Sequence, residues 1–210
     1  MADLQFPTRE TILSKQQLVL FEVLDSGDMS YFISLCKLVT DDVILSARDR
    51  RPISEGRTLL HNISMCNHTN SLFTMKYLVD TGVDINAIDC SVSLRTPLMD
   101  TVATMNIDKA LYLVESGADI GKRDASGDSV FHYAAKTGGA TLIRKLIEAS
   151  MTKHASTQHI QTILATPNVK KKLPEDMAAN TTCNDLLIFF RLNGKFPPKV
   201  ERRIKKTKNM

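Results

Sequence analysis

The chain has 210 residues, 43% of them hydrophobic and none of them tryptophan, which supplies a packed core and excludes wholesale disorder. Its formal charge of +4 is uneven: residues 195–210 hold seven basic residues against one acid, so this tail is +6 and the rest of the chain −2. Four cysteines without a CxxC pair exclude a disulfide scaffold, and the longest unbroken aliphatic and aromatic run, residues 186–190, is too short for a membrane-spanning helix.

The opening MADLQFPTRE has no apolar signal core. With cysteines expected to stay reduced, the expected location is cytoplasmic, nuclear or both. Residues 1–15 read as an N-terminal extension. QQLVLFEVLDSGDMSYFISLCKLV, from residue 16, reads as helix, Ser-Gly-Asp turn, helix, a first end unit. The polar stretch ARDRRPISEGR at 47–57 is an extended turn with Arg48, Arg50, Arg51 and Arg57 at its tip.

Thr58 then opens RTLLH as a hydroxyl N-cap. After a helix comes CNHTNS at 66–71, where the unit carries extra residues. A second helix ends in YLVDTGVDINAID, and 35 positions later YLVESGADIGKRD repeats the same text. Gly82 and Gly117 are expected helix C-caps, because glycine takes the left-handed conformation without steric cost. Between them lies the turn IDCSVSLR, then Thr96 as cap and Pro97 in the first helical turn. Ser129 caps FHYAAKTGGATLIRKLIEA, a helix, a Gly-Gly turn and a helix with the stripe Leu142, Ile143, Leu146, Ile147. Where the next Gly-x-Asp should fall, Ser150 stands instead. The expectation is a helix that runs on, or a short extra helix near 157–165. Pro174 then starts a helix, and Leu186, Leu187, Phe189 and Phe190 sit on the last one.

With T-x-L-H text at Thr58–His61, Thr96-Pro-Leu-Met99, Ser129-Val-Phe-His132-Tyr-Ala134 and Leu173-Pro-Glu-Asp176-Met-Ala178, the chain resembles the ankyrin-repeat family. The resemblance covers roughly 16–194 and is strongest over 57–150. It implies an all-α solenoid of about four to five helix-turn-helix repeats with β-turn fingers, the repeats lying near 16–48, 49–88, 89–123, 124–168 and 169–194. A two-helix unit cannot bury its apolar stripe alone, so stacked units must share caps, small residues and turns. Function then belongs to the unrepeated positions.

Residues that look chemical have plainer uses. His61 and His132 occupy one repeat position, which the resemblance assigns to bonding between turns. Asp84 with Asp119, and Asp89 with Asp124, recur along the stack as turn residues instead of meeting in one cleft. His154 and His159 have no companion metal ligand. No catalytic, metal-ligating or cofactor-binding set emerges, and the chain reads as a non-enzyme. Expected partner contacts are the concave face and the finger tips Arg48, Asp49, Arg50 and Arg51; Asp89, Cys90 and Ser91; and Arg123, Asp124, Ser126 and Asp128. The partner is a protein, and the chain itself a monomer. A narrower alternative is an inhibitor resembling the IκB-like ankyrin proteins that mask Rel-type transcription factors. In the tail, Arg202, Arg203, Lys205, Lys206 and Lys208 suggest nuclear import or an anionic surface. The other alternative is therefore a chromatin or nucleic-acid adaptor, though no aromatic interleaves these bases.

Overall fold

A computed structural model describes residues 9–51, 56–153 and 155–197. Among these lie eleven α-helices, one 3-10 turn and a single isolated β-bridge, between Arg123 and Ser129. The helices pair in order: α1 Arg9–Ser26 with α2 Met29–Cys36, α4 Leu59–Met65 with α5 Ser71–Asp80, α6 Pro97–Ala103 with α7 Ile107–Glu115, and α8 Val130–Thr137 with α9 Ala140–Lys153. The 3-10 turn Glu175–Met177 pairs with α11 Thr181–Asn193. Two short helices are additional: α3 Asp41–Leu45, against α1, and α10 Thr157–Ala165, against α11.

The pairs stack in two layers. The inner layer runs α1, α4, α6, α8, 3-10 turn, each touching the next, and the outer layer runs α2, α5, α7, α9, α11. One continuous core fills the space between them: Leu60, Ile63, Val102, Phe131, Leu113, Leu142 and Leu146 are fully buried, and each comes from a helix that alone would leave it wet.

Local chemistry sets the helix ends. Thr58 and Thr96 accept from the backbone N–H three residues on, at His61 and Met99. Outer helices α5 and α7 close identically: Val83 N–H donates to Leu78 O and Gly82 N–H to Val79 O, as Ala118 does to Leu113 O and Gly117 to Val114 O. This doubly bonded ending needs the positive φ seen at Gly82 (94°) and Gly117 (98°).

Departures from the regular unit are local. The inserted residues fall at 66–70, between α4 and α5, and Asn70 takes a left-handed φ of 65° to start α5. They place Ile63 O and Cys66 O within reach of the fully buried Lys109, whose Nζ donates to both, the former at 2.8 Å. Both alternatives expected after Ser150 occur together: α9 runs on to Lys153, and α10 follows. Pro174 opens only a 3-10 turn, not an α-helix. Ala178 returns to extended backbone directly after the turn, and the next helix is capped at Asn180.

Candidate functional site

Four segments, the fingers, join one repeat to the next at 48–57, of which 48–51 and 56–57 are described, 88–95, 121–128 and 166–173. Each is organised by a side-chain amide or carboxylate at one register position. Asp49 Oδ1 accepts from Arg51 N–H, and Asp89 Oδ1 from Arg95 N–H. Asp124 Oδ1 accepts from the N–H groups of Ser126 and Asp128, and Asn168 Oδ1 from those of Lys170 and Lys172. These are local side-chain-to-backbone turns, available only to short polar side chains.

The fingers are stitched to one another. Ala125 N–H donates to Ser93 O at 2.8 Å, and Val169 N–H to Ser126 O at 2.9 Å. Arg48 reaches across to Ile88 O at 3.1 Å, and Arg123 to Thr166 O at 3.1 Å. Behind them, His61 and His132 do the same work from the inner helices. Nδ1 of each accepts from the backbone N–H of Thr58 or Ser129, so the proton sits on Nε2, which donates to Arg95 O at 2.9 Å or Lys172 O at 3.1 Å. Burial disfavours the imidazolium, lowering His61 to about 4 and His132 in the same direction.

The candidate contact residues therefore divide. Asp49, Asp89 and Asp128 are buried, their carboxylates turned into the fold. The reason is energetic: Asp49 and Asp89 satisfy backbone N–H groups of their own turns, and Asp128 takes the Lys136 ammonium and the Asn168 amide. Lys136 and Asn168 bond Asp128 and, against the upward push of burial, hold its carboxyl below the usual range. Arg48 and Arg123 are half-buried struts to the next repeat, and Asp124 accepts the Tyr133 hydroxyl at 2.7 Å. Arg51 is divided between Asp49 and Asp25 and stands over the Phe21 ring. Arg50, Cys90 and Ser126 are exposed, with Ser91 half-buried at the tip. The tail residues Arg202, Arg203, Lys205, Lys206 and Lys208 lie outside the described residues.

Features not anticipated from the sequence lie nearby. A groove of about 500 Å³ opens beside α1 and α4, lined by Leu24, Asp25, Arg51, Arg57, Met65 and His68 among others. Arg57 meets Met65 Sδ at 2.8 Å there, and the Asp89 carboxylate is 4.0 Å away. Farther along the inner layer Arg95 pairs with buried Asp100 at 2.9 Å and stacks on the Tyr133 ring at 4.9 Å. Neither Asp100 oxygen accepts a well-aligned hydrogen bond, and burial pushes its carboxyl up to about 6 despite Arg95. The fourth finger presents Lys170, Lys171 and Lys172, all exposed, with Val169 beside them. The signal for that finger was present in the sequence: Asn168 takes the place of Asp49, Asp89 and Asp124 in the turn register.

Among the described residues, no group of three His, Cys, Asp or Glu side chains is placed to hold a metal ion, and no helix is long and apolar enough to cross a membrane.

Comparison with known proteins agrees with this architecture. The family described as ankyrin repeats, in three copies, matches residues 31–124. A segment of 86 residues, 41% of this chain, is 30% identical to alpha-latrocrustotoxin-Lt1a of Latrodectus tredecimguttatus, of which it covers 6%. The chain thus spans only a small part of that relative's length. Ankyrin repeats are generally non-catalytic protein-interaction modules. Repeat text, two-layer helical stack and this match agree that the chain carries ankyrin repeats.

Proposed function

We propose that this chain is a non-catalytic protein-binding module that holds its partner with the finger tips and the adjoining groove. One observation carries the reading. Backbone hydrogen bonds join the second, third and fourth fingers into one edge, from which side chains with no role in the fold project: Val92 is 89% exposed and Val169 75% exposed. A rigid backbone presenting free side chains is what specific recognition needs, because little ordering cost is left to the moment of binding. The histidines and aspartates that could suggest chemistry are consumed by the scaffold.

The test is affinity capture from source-cell extract with three full-length proteins: wild type, a finger variant carrying Val92→Asp and Val169→Asp, and a tail variant with Arg202, Arg203, Lys205, Lys206 and Lys208 changed to Gln. A protein retained by wild type and the tail variant but lost by the finger variant supports the proposal. Retention indifferent to the finger changes, or lost with the tail, overturns it.

A further inference from the structure

Resting on that binding role, we infer that the partner segment is acidic and carries aliphatic side chains, and that it lies along the finger edge. The charge of the repeat stack is segregated. The four finger segments hold ten basic and five acidic residues, net +5, while the remainder of residues 1–194 is net −7. Burial sharpens the contrast. Asp49, Asp89 and Asp128 turn inward, as described above. Among the described finger residues, the exposed charged side chains are Arg50, Lys122, Lys170, Lys171 and Lys172, and all are basic. Of the described finger acids the fold buries Asp49, Asp89 and Asp128 and half-buries Asp124, while it leaves those five bases exposed.

Exposed acids gather elsewhere, on the outer helices and the turns that leave them: Asp80, Asp84, Asp108, Glu115 and Asp119. An acidic ligand is repelled there and attracted to the fingers, so the charge pattern selects the edge as well as the ligand. Aliphatic side chains lie between the cations, Val92 and Leu94 on the second finger and Val169 on the fourth. These favour a protein over a nucleic acid. No described finger residue is aromatic, so bases would have no stacking platform, whereas exposed valines offer a peptide apolar contacts.

The experiment is selection of a random dodecapeptide library on the full chain, followed by affinity measurement of the enriched peptides. Three further full-length proteins are compared: a finger-charge variant (Arg50→Gln, Lys122→Gln, Lys170→Gln, Lys171→Gln, Lys172→Gln), a finger-aliphatic variant (Val92→Ser, Val169→Ser), and the tail variant above. All substituted finger positions are exposed, and circular dichroism melts verify that the fold is kept.

The expected result is enrichment of Asp and Glu together with aliphatic residues. Affinity should fall about tenfold in the finger-charge variant, since five exposed pairs are each worth a fraction of a kcal/mol. It should fall several-fold in the aliphatic variant, by less than about threefold in the tail variant, and with added salt. Peptides without acidic excess, no enrichment at all, or binding lost with the tail instead of the fingers would overturn the inference. So would a single-stranded or duplex oligonucleotide that displaces the peptides and itself depends on the finger cations. Neutral peptides that still lose binding in the aliphatic variant would sink the acidic partner alone and leave the binding role standing.

Discussion

His61 Nε2 and the carbonyl oxygen of Arg95, 34 residues apart, are joined by a 2.9 Å hydrogen bond that ties one inner helix to the next finger. His132 makes the same bond to Lys172 O one repeat beyond the next. In the intervening repeat Met99, buried, occupies that position and offers no such donor.

Replacing His61 by Ala removes this bond, strands the Thr58 N–H and opens a cavity. The expected cost is about 3 kcal/mol. Met99→Ala, which removes packing but no hydrogen bond, should cost about 2 kcal/mol. Urea denaturation of the two variants, compared at equal m-value, checks both the size and the order.

The pH dependence should show two opposed contributions. His61, lowered to about 4, contributes stability that is full above its unfolded value near 6.5 and is lost as pH falls toward 4. Asp100, raised to about 6 from 3.8, contributes in the other direction: its stabilisation is full below the unfolded value and is lost as pH rises through about 6. Each is worth about 3 kcal/mol at most, so between pH 4 and 6.5 they largely offset one another. Asp100→Asn removes one side of this balance. The variant should lose stability on acidification more steeply than wild type; equal slopes in chemical melts across this range would contradict the assignment.

Gly127→Ala and Gly117→Ala separate strain from collision. Both glycines have positive φ, 74° and 98°, so each substitution costs about 1 kcal/mol in backbone strain. A Cβ at Gly117 meets nothing within 4 Å, whereas one at Gly127 falls 3.1 Å from Val169 N and 3.3 Å from Asn168 Cα, backbone of the next finger. Gly127→Ala should therefore be the more destabilising and should also speed hydrogen exchange at the Val169 amide, which Gly117→Ala should leave unchanged.

Lys109→Met tests the buried ammonium. It removes the donor to Ile63 O and Cys66 O at the end of α4, leaving Cys66 O unpaired and Ile63 O with only the 3.3 Å bond from the Cys66 N–H, for an expected loss of about 2 kcal/mol. Relief of the buried charge works against this, since burial already lowers the Lys109 pKa. A variant as stable as wild type in thermal melts would show that the desolvation relief dominates.

Thiol labelling reads the fold without mutation. Cys90 is exposed and Cys66 half-buried, while Cys36 and Cys183 are buried, with burial pushing the Cys36 thiol up to about 12. Maleimide should modify Cys90 first, Cys66 more slowly, and the other two only in denaturant. Early modification of Cys36, followed by peptide mapping, would place α2 differently.

The two-layer stack was legible in the sequence because it is repeated. Thr58, Thr96 and Ser129 announce helix starts, Gly82 and Gly117 announce helix ends, and the histidine position recurs. Local chemistry of this kind is written in adjacent residues and survives translation into coordinates unchanged. Even the irregular stretch after Ser150 was bounded correctly by its lost glycine.

The character of the fingers was not legible in the same way. Asp49 and Arg50 are neighbours of similar polarity, yet one is fully buried and the other exposed. Which of them faces outward depends on Arg51 folding back onto Asp49 and on an inner helix lying behind the turn. Arg48 and Arg123 look like tip charges until the next repeat brings carbonyl oxygens within 3.1 Å. By itself, the sequence determined the repeat, its caps and its turns, since these rest on residues a few positions apart. Tertiary structure alone decided which charges are spent inside the stack and which remain for a partner, since that depends on groups some 40 residues away in the chain.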